Sequence, residues 1–159
     1  MKWIEGEIQG VVIRPVVKHA DHRGWLAELF RSDETPSDIL PAMSYVSVTN
    51  PGAGRGPHEH TEQTDTFGFV GPGNFRLSLW DARPCSPTSG HKMTVHVGED
   101  NPCVVVIPPG IAHGYKNVSS MEGWVLNFPN RLFGGKGRKE PVDEVRYEDS
   151  SDSTFSLGD

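Results

Sequence analysis

The chain of 159 residues has a net charge of −6 and 35% apolar residues, a length that suits one domain around one core, residues 1–159. The charge argues against a broad nucleic-acid footprint, which needs a basic face to displace counterions, and no apolar run approaches the ~20 residues of a membrane helix. Two cysteines, Cys85 and Cys103, are too few for a disulfide framework, and the start Met1-Lys-Trp-Ile-Glu-Gly-Glu lacks a secretory leader, so a cytoplasmic location is expected.

Thirteen prolines and eighteen glycines cut the chain into short pieces rich in Val, Ile, Phe, Trp and Thr. Strands are expected at 10–17, 25–31, 44–49, 66–70, 75–80, 92–97, 103–107, 113–118 and 123–128, with one short helical turn at 37–40 that Pro36 begins and Pro41 ends. Phe75-Arg-Leu-Ser-Leu-Trp80 alternates apolar and polar, so one of its faces is buried. Trp25, Trp80 and Trp124 are assigned to the core. About nine short strands without helical periodicity imply an all-β fold, and the double-sheet jelly roll of the cupin type fits best. Residues 131–159 form a polar tail, expected to be mobile at its end unless residues 145–149 dock back on the sheets.

The chemistry concentrates in two stretches. Gly52-Ala-Gly-Arg55-Gly-Pro-His58-Glu-His60-Thr-Glu-Gln63-Thr-Asp65 holds two histidines one residue apart, which share a face if the segment is extended. Pro108-Pro-Gly110-Ile-Ala-His113-Gly-Tyr-Lys-Asn117 supplies a third after a turn. A barrel brings such distant strands to one interior, so His58, His60 and His113 are expected in a shared pocket. Asp81, Arg83 and Ser86-Pro-Thr88 read as a structural ion pair and turn.

Four segments in order carry a family resemblance: Asp21-His-Arg23-Gly24-Trp-Leu-Ala-Glu28, Arg55-Gly56-Pro-His58, Asp81-Ala-Arg83-Pro-Cys-Ser86-Pro87-Thr88 and Pro109-Gly110-Ile-Ala-His113-Gly114. Together they resemble the dTDP-4-dehydrorhamnose 3,5-epimerase family. The resemblance implies a jelly-roll homodimer without a cofactor that binds a nucleoside-diphosphate 4-keto-6-deoxysugar and moves protons beside the ketone. It makes His58 the base, Asp149 its partner carboxylate, Arg23 and Arg55 diphosphate ligands, and Glu28 the residue facing the nucleobase, with His60, Gln63 and His113 in the pocket. A histidine suits the base because its ordinary pKa lies near neutrality.

The departures are also informative. Where the family has Gln-x-Lys, this chain has Gln63-Thr-Asp65, reversing the charge; the family's proton-donating tyrosine falls near Leu126-Asn127, and Tyr115 is the nearest phenol; and His60 stands where the family has glutamine. The same residues resemble the metal-binding cupin pattern, with Gly52, His58, His60 and Asp65 matching its first half and Pro108, Gly110, His113 and Asn117 its second. That leaves open a divalent metal on His58, His60, Asp65 and His113. A metal-dependent reaction on a small organic acid or diketone, or a sugar-nucleotide-binding protein without catalysis, are the competing readings.

Overall fold

Period-two alternation decides which side chains enter the interior. In the computed structural model, which describes residues 2–150 and 153–158, Phe75, Leu77 and Leu79 are wholly buried on one face of their strand. The chain runs through β1 (Ile4–Glu5), β2 (Val12–Pro15), β3 (His19–Asp21), β4 (Gly24–Leu26), β5 (Tyr45–Thr49), β6 (Gly54–Glu59) and β7 (Asp65–Phe69). It continues through β8 (Asn74–Asp81), β9 (His91–Gly98), β10 (Cys103–Ile107), β11 (Ile111–Asn117), β12 (Gly123–Asn127) and β13 (Val145–Arg146), with single 3-10 turns at Ser37–Ile39 and Lys136–Arg138. A six-stranded sheet, β1-β9-β8-β11-β6-β13, and a five-stranded sheet, β2-β10-β7-β12-β5, accompany a β3-β4 hairpin. This is the all-β, two-sheet architecture expected from the sequence.

The core gathers Phe67 and Phe69 from β7, Phe75, Leu77 and Leu79 from β8, and Val105, Ile107 and Val125. Each large side chain so buried contributes roughly 1.5–3 kcal/mol. The inward row of β7 reads Asp65, Phe67, Phe69 and that of β11 reads Ile111, His113, Tyr115, all buried. The rings of Phe67 and His113 lie 5.7 Å apart, so the polar cluster rests directly on the aromatic core.

β6 was not among the expected strands, because Gly-Arg-Gly-Pro-His-Glu has no β-branched residue to mark it. Its partner imposes the extended form. His58 pairs with His113, yet Arg55 pairs with Tyr115, so one extra residue is accommodated in β6 as a bulge. Opposed residues of an antiparallel pair share a face, and the bulge therefore puts Arg55 and His58 on one side although they are three apart. Gly56 is required there: its φ is +78°, and a Cβ would lie 2.7 Å from the His113 carbonyl oxygen.

A further expectation needs correction, and a conditional one, that residues 145–149 dock back, is met. Of the three tryptophans assigned to the core only Trp80 belongs there; Trp25 is 49% and Trp124 44% exposed, Trp124 because it stands on the outward face of β12 and Trp25 because the β3–β4 hairpin is exposed along its whole length. The tail docks: Val145 and Arg146 pair with Glu59 and His58, and the Phe155 ring packs 4.6 Å from Tyr147 and 5.7 Å from Trp80. The Asp81 group is structural as expected, its carboxylate accepting bonds from Arg83, Ser86 and Thr88. Among the described residues, no helix is long and apolar enough to cross a membrane.

Candidate active site

The side chains of His58, His60, Asp65 and His113 converge, each offering one nitrogen or oxygen within 4.8 Å of the others. β6 supplies His58 and, just past its end, His60; β7 supplies Asp65 and β11 His113. Ring centroids are separated by 4.6 Å for His58 and His113, 5.3 Å for His58 and His60, and 6.1 Å for His60 and His113. The three imidazoles are thus brought together, but only His58 and His60 line the cavity described below, while His113 and Asp65 are buried behind them.

Backbone carbonyls orient two of the rings. His113 Nδ1 lies 2.9 Å from the Ile111 carbonyl, and His60 Nδ1 contacts the Asp143 carbonyl. Both Nε2 atoms face Asp65 Oδ2, at 3.1 Å from His60 and 3.2 Å from His113. Asp65 Oδ1 accepts from Gln63 Nε2 and Asn127 Nδ2, each at 3.0 Å. Burial opposes ionisation of Asp65, but the facing imidazoles outweigh it and hold its pKa well below the ordinary carboxylate value. Burial likewise works against a charge on His60, yet the facing Asp65 carboxylate wins and raises its pKa. His58 goes the other way: burial first, then the neighbouring histidines, lower it to about 3, so its imidazole is neutral at pH 7.

Tyr45, His58, His60, Gln63 and Glu144 line a cavity of about 1180 Å³, ample for a nucleotide-sized ligand. Its far wall is the segment from Pro129 to Arg146, which contributes the cations Arg131, Lys136, Arg138 and Arg146. That wall is tied to the His60 turn by Asp143, whose carboxylate accepts the backbone N–H groups of Thr61, Glu62 and Gln63 at 2.9, 2.9 and 2.8 Å and the Thr61 hydroxyl.

Other residues singled out from the sequence lie elsewhere. Arg23 pairs with Asp21 in the β3–β4 hairpin with 76% of its side chain exposed, and Glu28 is exposed beside Arg31; neither lines the cavity. Arg55 is tied to β5 through Thr49 Oγ1 at 3.1 Å and the Val48 carbonyl at 2.8 Å. Tyr115 is core rather than cavity, with its ring among Phe67, Phe69 and Phe75 and its hydroxyl 2.8 Å from Ser47 Oγ. Asn117 is buried and braces a turn through the Thr49 and Met121 carbonyls. Asp149 is exposed beyond β13, and the carboxylate that stands near His58 Nδ1 is Glu144, at 3.9 Å.

Glu144 therefore escaped the sequence reading, as did Tyr45. Tyr45 pairs with Asn127 across the β5–β12 ladder, and its hydroxyl accepts the Asn127 amide at 2.7 Å. A phenol thus stands one strand over from the position where the family's tyrosine is missing. Burial, as the leading cause, pushes its pKa up to about 12, which keeps the proton on.

A model of the dTDP-4-dehydrorhamnose 3,5-epimerase family matches residues 5–127. The probable low-salt glycan biosynthesis epimerase Agl13 of Haloferax volcanii is 39% identical over 127 residues, spanning 79% of this chain and 81% of its own. The spore coat polysaccharide biosynthesis protein SpsL of Bacillus subtilis is 38% identical over 109 residues, 69% of this chain and 71% of its own. Among solved structures, the dTDP sugar isomerase of Desulfovibrio desulfuricans shares the fold with a TM-score of 0.79 at 24% identity, covering 94% of this chain and 91% of that one. The dTDP-4-dehydrorhamnose 3,5-epimerase of Sulfolobus tokodaii does so at 0.71 and 24%, covering 92% and 82%. The two-sheet architecture is the jelly roll common to these structures.

Proposed function

Because the chain belongs to the dTDP-4-dehydrorhamnose 3,5-epimerase family, we propose that it epimerises a nucleoside-diphosphate 4-keto-6-deoxysugar by removing and returning a proton at a carbon beside the ketone. A C–H next to a carbonyl is weakly acidic, so the reaction needs a base in its free form, a counter-charge for the imidazolium produced, and an acid placed elsewhere in the cavity. His58 is the base: burial keeps it neutral, and Glu144 lies 3.9 Å from its Nδ1, able to stabilise the charge it acquires. Tyr45 is the acid, since it holds its proton to high pH and lines the same cavity.

The diphosphate is assigned to the basic wall, Lys136 and Arg138 foremost, because these side chains line the cavity whereas Arg23 and Arg55 do not. Guanidinium and ammonium groups suit phosphate oxygens. A homodimer goes with this reading, and the outward apolar side chains Val12, Val46, Val48 and Trp124 are the surface on which a second copy would pack. Like Agl13 and SpsL, whose names place them in glycan and spore-coat polysaccharide synthesis, the enzyme would supply a polysaccharide or glycan, working in the cytoplasm.

The observation that carries the proposal is the neutral His58 beside Glu144 at the floor of the cavity. The test is incubation in D2O with dTDP-4-keto-6-deoxyglucose and its GDP and CDP counterparts, followed by mass spectrometry. Deuterium enters with at least one of them, and His58→Gln slows its entry by about 10²–10⁴-fold. Absence of exchange with all three substrates would sink the proposal.

A further inference from the structure

The hydrogen-bond pattern beneath His58 leaves a gap in proton accounting. A carbonyl oxygen can only accept, so His113 Nδ1, 2.9 Å from the Ile111 carbonyl, and His60 Nδ1, against the Asp143 carbonyl, must each carry the ring proton. In the neutral rings both Nε2 atoms then present lone pairs, and a proton taken up by His60, whose pKa Asp65 raises, fills one of them in the place a cation would take. Both Nε2 atoms point at the same oxygen, Asp65 Oδ2, from 3.1 and 3.2 Å, and that oxygen is itself only an acceptor. His113 Nε2 and Asp65 Oδ2 are buried without any hydrogen bond, in side chains 2% and 1% exposed. Gln63 Nε2 carries two hydrogens and can donate one to Asp65 Oδ1 and the other to His60 Nε2 at 3.2 Å, so the unmatched atoms are His113 Nε2 and Asp65 Oδ2. Buried polar atoms are rarely left unmatched, because each costs roughly 1–3 kcal/mol.

We propose that His60, Asp65 and His113 form a binding site for one first-row divalent transition cation, with His58 at its open edge. Three acceptor atoms converging on one point are what a cation requires, and imidazoles whose other nitrogen donates to a carbonyl have the orientation metal-bound histidines adopt. The spacing agrees. Ligands ~2.1 Å from a metal stand ~3.0–3.4 Å from one another, and the two Nε2 to Oδ2 separations are 3.1 and 3.2 Å. Across the four-residue set, which includes His58, the limit is 4.8 Å, so a pair at that limit has to close by roughly 1.4–1.8 Å to reach the same spacing. Two imidazoles and one carboxylate favour iron, cobalt, nickel or zinc over magnesium or calcium. A divalent cation there supplies positive charge at the cavity floor, where a ketone oxygen gains negative charge as the neighbouring C–H is deprotonated.

The site is tested without sugar nucleotide, so its outcome is separate from that of the deuterium exchange. Purified protein is stripped with EDTA, equilibrated with Co2+ alone, passed through gel filtration and read by cobalt content and visible absorption. The folded protein retains about one Co2+ per chain and melts at a higher temperature with it. His60→Gln and Asp65→Asn each lower retention by at least ~10-fold, whereas the exposed His96→Gln leaves it unchanged. No cobalt retained by the parent protein, or retention unaltered in those site variants that give a native far-UV circular dichroism spectrum, would overturn the assignment.

Discussion

Replacing Asp143 by alanine isolates the tie between the cavity's far wall and the His60 turn. Its carboxylate accepts three backbone N–H groups and one hydroxyl from residues 61–63. Bonds to a charged acceptor can reach about 1.5–3 kcal/mol, but this side chain is only partly buried and water can replace it, so about 0.5 kcal/mol per bond is the appropriate scale. Four such bonds give a loss of about 2 kcal/mol, which for a domain of this size lowers Tm by about 4–8 °C. Thr61→Val removes the hydroxyl alone and lowers it by about a quarter as much. Burial pushes the Asp143 pKa up, yet the bonds from Thr61 and Gln63 outweigh it and leave it below 3.8. A lowered folded-state pKa contributes stability in full above the unfolded value and loses it as pH falls through the folded one. The gap between parent and Asp143→Ala therefore stays constant from pH 7 to about 5 and closes below 3.8. Melting curves across pH measure both effects; a gap under 1 °C at pH 7, or one that widens on acidification, would refute the argument.

Tyr45→Phe keeps the ring and removes the acid, so epimerised product forms about 10²-fold more slowly while solvent deuterium still enters the substrate with retention of configuration; equal losses of both rates would remove Tyr45 from the proton-donor role. Lys136→Ala with Arg138→Ala raises KM about tenfold or more with kcat little changed, as expected for lost charge-assisted phosphate contacts, and steady-state kinetics with a nucleoside-diphosphate sugar reads the split. Gly56→Ala forces a side chain into φ +78° and against the His113 carbonyl, so urea unfolding shows a loss of at least about 1–2 kcal/mol; a change under 0.5 kcal/mol would contradict the bulge.

The sequence made the two-sheet frame legible where strands alternate, as in β8, and where β-branched runs mark them, as in Cys103–Ile107. It also brought His58, His60 and His113 together, because period two and a return strand suffice for that. It did not reveal β6 as a strand, since the extended form of Gly54–Glu59 comes from pairing with β11 and β13. Glu144 and Asp143 lie in what reads as a polar tail, and their placement depends on the docking of β13. Tyr45 is recognisable as a cavity phenol only through the register that sets it opposite Asn127. Trp124 misled because hydrophobicity alone does not say which face of a strand turns inward, and Trp25 because its hairpin is exposed at every residue.

Asn127 touches both the Tyr45 hydroxyl and Asp65 through one nitrogen. A carboxamide couples its neighbours electrostatically but does not shuttle hydrons between them, because its nitrogen neither gains nor gives one up near neutrality. The phenolic hydrogen and those of the imidazole cluster are accordingly two isolated reservoirs, linked through bound sugar or bulk water and not through this side chain. Label washed in from solvent at one reservoir would then be chemically distinguishable from label delivered by the other.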